Sequence, residues 1–470
     1  MRRKTEWFFH HLFFLWIFFP IVFIQYFIIR DELKNVFLLA ASLLFYAWGE
    51  SVYILLMLCS ILINYAAGLL IAKYAAYEKY VLIVDIIINI GLLGYFKYFS
   101  FLVEIISTLT GVVPELPEIT LPIGISFYTF QILSYIIDLY RGQCKVQKNI
   151  INLALYISFF PQLIAGPIVK YRDINDQLSN RKCTLDKIAE GIRRFIYGLG
   201  KKVIIANVVA KCVDTVYALD LSDITGALAW GSAVLYALQI YYDFSGYSDM
   251  AIGLGKIFGF EFQENFRYPY LSTSVQEFWQ RWHISLGTWF KEYLYIPLGG
   301  NRNGKIRTYC NLFIVFLITG LWHGANYNFI LWGGMYGAFQ IIERMGLKNF
   351  LAKHKIFAHI YMALIFIFGW VLFRADNLKQ AAGIIKRMLV PWRYMESTFI
   401  SAKIFENKTL LVILLGIFGC GIVQLLLRKL NLNEKLKNSY IEIVYCGMVF
   451  VLCIVALAGN NYNPFIYFRF

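Results

Sequence analysis

The chain has 470 residues, of which 59% are hydrophobic and 16% charged, with a formal net charge of +15. Soluble domains carry about 25% charged residues, so this balance excludes an ordinary soluble domain and points to a lipid environment. In a membrane protein the positive excess reads as cytoplasmic loop bias and contact with anionic lipid, and no nucleic-acid module is present.

The start, MRRKTEW, leads into a long apolar run with no small-residue cleavage site, which predicts a retained first span and not a removed signal peptide. A span needs about 20 apolar residues. Uncharged runs of that order lie at 7–29, 51–72, 119–137, 149–169, 224–242, 356–373, 409–427 and 443–468, with shorter candidates at 35–49, 80–96 and 203–213. The expected architecture is all-α: a polytopic integral membrane bundle of roughly ten to twelve membrane segments, some re-entrant or interfacial, around a central cavity. No stretch is soluble enough for a separate domain, so residues 1–470 read as one membrane-embedded unit.

Residues 170–202 are charge-rich and predict a surface loop with a helix. Residues 261–308 mix charges with aromatics, and there Trp279, Trp282, Leu286, Trp289 and Tyr293 recur at spacings of 3, 4, 3 and 4, which predicts one helix face at the interface. The run 308–342 holds 35 residues without a formal charge, too long for one straight span. Its centre, ITGLWHGANYNF, places Gly320, Gly324, His323, Asn326 and Asn328 together, which predicts two segments meeting at a polar break. Non-helical backbone at membrane depth survives only inside protein or beside a water-filled cavity.

Toward the C-terminus, segments 343–355 and 428–437 each carry a net charge of +3 and read as cytoplasmic, which delivers the tail NNYNPFIYFRF to the outer face. Segment 374–408, with seven basic and three acidic residues, resists that assignment, although long external segments weigh little in the charge rule.

The eight cysteines form no CxxC pair and read as small buried hydrophobes, so neither a disulfide frame nor a metal site is expected. Of six histidines, His323 alone sits deep in a long uncharged run. An ionisable group inside a membrane marks a functional site by default, and an imidazole suits proton transfer near neutral pH. The alternative is a packing histidine bonded to a nearby carbonyl. His283, in EFWQRWHISLGTWF, reads from its surroundings as an interfacial histidine in a Trp-rich belt. Asp138, Asp243 and Asp249 border apolar runs and fit either a substrate path or structural ion pairs. No GxSxG, Walker A, HExxH or dinucleotide-binding pattern is present, leaving ATP hydrolysis and zinc chemistry unsupported.

The block FWQRWHISLGTWFKEYLYIPLGGNR, followed by LWHGANYNFILWG 40 residues after its histidine, resembles the membrane-bound O-acyltransferases, and within them the membrane subunits of alginate O-acetylation. The resemblance continues through LPIGISFYTFQILSYIIDLYRG, ISFFPQLIAGPIVKY, YYDFSGYSDMAIGLGKIFGF and GWVLFRADNLKQA, in order, over about residues 121–385. It implies that His323 is the catalytic histidine, that His283 shares the active-site region, and that Trp282, Asn326, Asp243 and Gln162 line or support it. It implies an acyl donor, acetyl-CoA, with no bound cofactor. A secreted or membrane-anchored acyltransferase partner and an extracellular polysaccharide acceptor follow, at the inner or plasma membrane of a bacterium.

The tail PFIYFRF resembles the aromatic C-terminus of the small partner protein in teichoic acid D-alanylation, which implies that Tyr467 takes up the acyl group. A phenol is a competent nucleophile beside a base. An aromatic interfacial anchor explains the same residues. D-alanyl transfer and peptidoglycan O-acetylation are the neighbouring functions. A lipid-linked glycan transporter is the rival of another class, although the paired halves common in transporters are not visible here.

Overall fold

A computed structural model describes residues 11–112, 119–395, 407–432, 435, 439–459 and 466, and every regular element among them is helical. The chain divides into two compact units, Met1–Phe195 with Ser248–Gln263, and Ile196–Tyr247 with Glu264–Phe470.

The first unit begins with α1 (Phe19–Ile28), α2 (Lys34–Gly49), α3 (Tyr53–Lys73) and α4 (Glu78–Thr110). It continues with α5 (Ile125–Tyr140), α6 (Ile150–Ser158), the single turn α7 (Phe160–Leu163), α8 (Tyr171–Asn180) and α9 (Leu185–Gly200), whose residues up to Phe195 belong here. At about 1.5 Å per residue, α3 and α4 exceed the thickness of a hydrocarbon core. Leu55, Leu62 and Ile87 are exposed on them, as lipid-facing residues should be. Their buried face carries a reciprocal amide pair: Asn64 Nδ2 donates to Asn89 Oδ1 at 3.2 Å and Asn89 Nδ2 to Asn64 Oδ1 at 3.1 Å. Polar side chains between apolar helices hydrogen-bond each other because lipid offers no partner.

The apolar run 149–169 does not form one helix. It stops at Phe159, turns once through α7, and continues without regular structure to Lys170. The break sits in the core of the unit, where Gln162 Nε2 donates to the Tyr156 carbonyl at 2.6 Å and so satisfies an acceptor that the helix leaves open.

The second unit takes the end of α9, a π-helical stretch Lys201–Ala206, α10 (Asn207–Tyr217) and α11 (Gly226–Ile257), the last up to Tyr247. Then come α12 (Val275–Arg281), α13 (Ile284–Phe290), α14 (Gly304–His323), α15 (Tyr327–Ile342) and α16 (Lys348–Lys353). The unit ends with α17 (Lys355–Arg374), α18 (Leu378–Leu389), α19 (Asn407–Gly419), α20 (Ile422–Lys429) and α21 (Tyr440–Gly459).

Among the described residues five helices are long and apolar enough to cross a membrane, and six if the pair Thr409–Gly419 and Ile422–Lys429, bent by 50°, counts as one span. The bend falls at Gly421, whose φ of +132° is open to glycine and strained for other residues. The chain is thus an all-α polytopic membrane protein.

The run 308–342 splits as its composition predicts, into α14 and α15, with the break at Gly324–Asn326. The aromatic stripe 279–293 does not lie on one helix face. α12 ends at Arg281, Trp282 is extended and His283 is left-handed (φ +46°, ψ +54°), so α13 starts in a new direction. The 3–4 spacing describes each short helix and misses the turn between them, because a single left-handed residue leaves no mark on periodicity.

α14 and α15 pack closely through Gly320 and Gly333. A Cβ on Gly320 would overlap the Phe329 carbonyl, and one on Gly333 would overlap the Phe316 carbonyl. Overpacking of this kind costs about 1–3 kcal/mol. Gly333→Ala is expected to lower the thermal unfolding midpoint of the detergent-solubilised protein, and Gly334→Ala, which meets only side chains at 3.6 Å and beyond, to leave it in place. Equal midpoints for the two variants would show that the helices part without cost.

Candidate active site

The second unit brings together His323, His283, Trp282, Asn326 and Asp243 through one network of contacts. His323 is the last residue of α14 and is buried. Three rings surround it, with centroids 5.0 Å (Trp322), 5.2 Å (Trp332) and 5.1 Å (Phe373) away. Trp370 links this cage to Trp282, at 4.8 Å from Trp282 and 6.3 Å from Trp332. Trp322 reaches the other histidine, its ring 6.0 Å from that of His283. Phe244, on α11, covers a further side of His283 edge-on at 4.6 Å.

The break beyond His323 is held by two asparagines. Asn326 caps α15, accepting from the Asn328 backbone N–H at 3.0 Å, and its Nδ2 donates to the Asp376 carbonyl at 3.3 Å. Asn328 Nδ2 donates to the Ala375 carbonyl at 2.6 Å. Both bonds tie the break to the end of α17, the element that also supplies Phe373 and Trp370 to the cage. Asn326 therefore acts on the site as a brace for the backbone that follows His323. Next to it, Arg374 pairs with Asp214 at 2.8 Å and lies over the Tyr217 ring.

α12 is fixed from outside its own sequence. The Glu343 carboxylate, buried, accepts from the backbone N–H groups of Val275 (2.6 Å) and Gln276 (3.2 Å). This satisfies two orphan donors of the first turn. The Ser274 hydroxyl adds a cap to Glu277 N at 3.1 Å. With its start held, α12 presents Trp282 and His283 at its far end. Burial pushes the His283 pKa down, so the ring is neutral.

Asp243 lies one residue before Phe244 and forms a fully buried ion pair with Lys202, Nζ to Oδ1 2.6 Å. Its second oxygen, Oδ2, accepts the backbone N–H of Ile466 at 2.8 Å, and the Ile466 side chain is buried in the same core. Ile466 is thus docked at Asp243. Tyr467, the next residue, lies outside the described residues. Gln162 belongs to the first unit, where it braces the α6–α7 break.

Sequence patterns gave no sign of Lys202, Glu343, Asn265 or the Phe373–Trp370 wall. Lys202 could have been suspected as a lysine carried into an apolar run. Glu343 and Asn265 act through backbone groups distant in sequence, and no local pattern encodes that.

With this geometry in view, comparison with known proteins is informative. The profile of MBOAT, the membrane-bound O-acyltransferase family, matches residues 142–375. A probable alginate O-acetylase of Pseudomonas putida is 40% identical over 481 residues, covering 97% of this chain and 99% of its own. The chain belongs to the membrane-bound O-acyltransferase family. A peptidoglycan O-acetyltransferase of Helicobacter pylori is 37% identical over 416 residues, 80% of this chain and 78% of its own. A teichoic acid D-alanyltransferase of Bacillus subtilis is 29% identical over 224 residues, 45% of this chain and 56% of its own. The chain is therefore a membrane-bound O-acyltransferase with several spans, and its two blocks around His283 and His323 both fall inside the matched family region.

In this acyltransferase the Lys202–Asp243 pair should behave as a buried ion pair. Removing one partner leaves an uncompensated charge and costs about 3–5 kcal/mol, whereas replacing both with apolar residues leaves only the Ile466 N–H without its acceptor, about 1–3 kcal/mol. Asp243→Ala is expected to unfold at markedly lower temperature in detergent than the double variant Lys202→Met/Asp243→Leu. The opposite order would mean that the pair is not isolated from water.

Proposed function

We propose that this acyltransferase moves an acetyl group from acetyl-CoA, entering from the cytoplasm, to hydroxyl groups of an extracellular polysaccharide across a bacterial inner membrane. The observation that carries the reading is the similarity to alginate O-acetylases along nearly the whole chain. The placement of His323, buried in an aromatic cage at a braced helix break, supports it.

In the proposed reaction His323 is the general base. The accepting hydroxyl gives its proton to the imidazole as its oxygen attacks the thioester carbonyl. The carbon–sulfur bond then breaks, and the thiolate leaves with the proton from the imidazolium. Proton transfer of this kind contributes about 10²–10⁴-fold. Trp282 and the Trp332–Trp370–Phe373 wall exclude water, which favours transfer over hydrolysis of the thioester.

Two acceptors fit the first step. One is Tyr467, which then hands the acetyl group to the polymer through a second, analogous attack. The other is a hydroxyl on a secreted or membrane-anchored partner. Ile466, bonded to Asp243 beside Phe244 and His283, supports the tyrosine route, because Tyr467 follows it in the chain. The loop charges, which direct the C-terminus outward, support it independently. Peptidoglycan is the second polymer to consider, given the similarity to the peptidoglycan O-acetyltransferase over most of the chain.

Membranes containing the protein, supplied with radiolabelled acetyl-CoA, test this directly. Wild type is expected to retain label, His323→Ala to lose at least about 100-fold in transfer, and Tyr467→Phe to carry none on the protein. Transfer to polymer that survives Tyr467→Phe would remove the tyrosine from the route and leave His323 in it. Label from D-alanyl donors and none from acetyl-CoA would overturn the donor.

A further inference from the structure

His283 occupies a left-handed backbone conformation that is strained for a non-glycine residue, and the surrounding contacts over-determine it. Asn265 supplies most of them. Its main-chain carbonyl accepts from Ile284 N at 3.0 Å. Its side-chain Oδ1 accepts from Ser285 N at 3.2 Å and from the Ser285 hydroxyl at 2.9 Å, and lies 3.2 Å from His283 Nδ1. Two residues on, Arg267 N donates to the Arg281 carbonyl at 2.9 Å, so the two strands of chain are tied on both sides of the turn. Asn265, Ser285 and His283 are all fully buried.

This set fixes the identity of the atoms. A backbone N–H can only donate, so the Asn265 atom facing Ser285 N is the carbonyl oxygen and not the amide nitrogen. An oxygen that only accepts requires a donor at His283 Nδ1. Neutral imidazole carries one N–H, so Nε2 then holds a lone pair. Nε2 is buried and makes no hydrogen bond within the described structure. A buried acceptor left open is destabilising, a cost that a bound hydroxyl would remove.

We propose that Asn265 is a positioning residue that locks His283 in its Nδ1–H tautomer, so that Nε2 accepts the hydrogen bond of the acceptor hydroxyl as it binds, before that hydroxyl turns its one proton to His323. The lock is a property of the fold, whereas the role given to Nε2 rests on the acyl-transfer reading above. The rings against the imidazole are Phe244 and Trp322, neither of which titrates. Through those rings the network continues to the Lys202–Asp243 pair, adjoining Phe244, and to His323, adjoining Trp322. The imidazole therefore takes its tautomer from the amide and not from a carboxylate. Sequence logic could not reach this, because Asn265 lies 18 residues before His283 in a segment without periodicity.

The full-length protein in lipid nanodiscs, labelled with 15N in its histidine rings, decides the matter. His283 signals are identified by their loss in His283→Gln. Wild type is expected to show Nδ1 protonated and Nε2 bare. Asn265→Ala should mix the two tautomers, while Asn265→Asp, which keeps an acceptor, should retain the wild-type pattern. In the acetyl-transfer assay Asn265→Ala should lower kcat by about tenfold or more with KM for acetyl-CoA nearly unchanged, and Asn265→Asp should recover part of the loss. A protonated Nε2 in wild type, or an Asn265→Ala spectrum like wild type, overturns the lock. An Asn265→Ala variant with mixed tautomers and full kcat overturns the role given to Nε2. Because the spectrum needs neither donor nor acceptor, failure of the acetyl-transfer reading would leave the tautomer result standing on its own.

Discussion

A helix that stops inside an apolar layer must find partners for the backbone groups it abandons, and the site of this protein is built around that requirement. α14 ends at His323, and the chain crosses Gly324–Asn326 before α15 begins. In lipid each unmet N–H or carbonyl costs several kcal/mol, so the break can exist only where protein answers it. Asn326 does so by accepting from the Asn328 backbone N–H, and the side-chain amides of Asn326 and Asn328 tie the break to the carbonyls of Asp376 and Ala375 just past the end of α17. The same end of α17 carries Phe373 against the His323 ring. One solution to a backbone problem therefore also places the imidazole. The close Gly320–Gly333 approach of α14 and α15 belongs to this solution, since the break can be shared by two helices only if they nearly touch.

The second histidine is held by a different device with the same logic. His283 sits at a turn that its neighbours force, with Glu343 capping the start of α12 and Asn265 bonding His283 and the start of α13. Neither contact is local in sequence. Strain at a residue persists only where such contacts outweigh it, and strained residues gather at functional sites. Two histidines thus reach one aromatic wall by independent routes: His323 from a helix end, and His283 from a left-handed turn. Trp322, adjacent to one and in ring contact with the other, joins them.

These two devices differ in how far the sequence shows them. The split of 308–342 was legible, because a charge-free run of 35 residues with glycines and asparagines at its centre cannot be one straight helix. The helix-rich membrane architecture was legible from composition for the same reason. The turn at Trp282–His283 was not, since the aromatic spacing of 3 and 4 continues across it unbroken. The stop at Phe159 was hidden likewise in an apolar run, where Gln162 is the one polar residue that answers the open carbonyl. Periodicity reports which face of an element is buried. It is silent about single residues that turn the chain, and about polar side chains that reach backbone groups more than 15 positions away. His323 was singled out by its isolation in an apolar run, whereas Asn265 and Glu343 stand among other polar residues and carry no such contrast.

Asp243 links the Phe244–His283 contact to Ile466 near the end of the chain. A carboxylate buried beside one lysine is a poor source of stability, because desolvating both charges offsets most of their attraction. The pair is better understood through its remaining valence. Lys202 occupies Oδ1, and Oδ2 is left to receive the Ile466 backbone N–H. A main-chain donor at the C-terminus is thereby drawn into the core next to Phe244, which packs on His283. An apolar pair in place of Lys202 and Asp243 could fill the same volume but could not accept that N–H. The charge pair is thus explained as the receptor that holds Ile466 in this core.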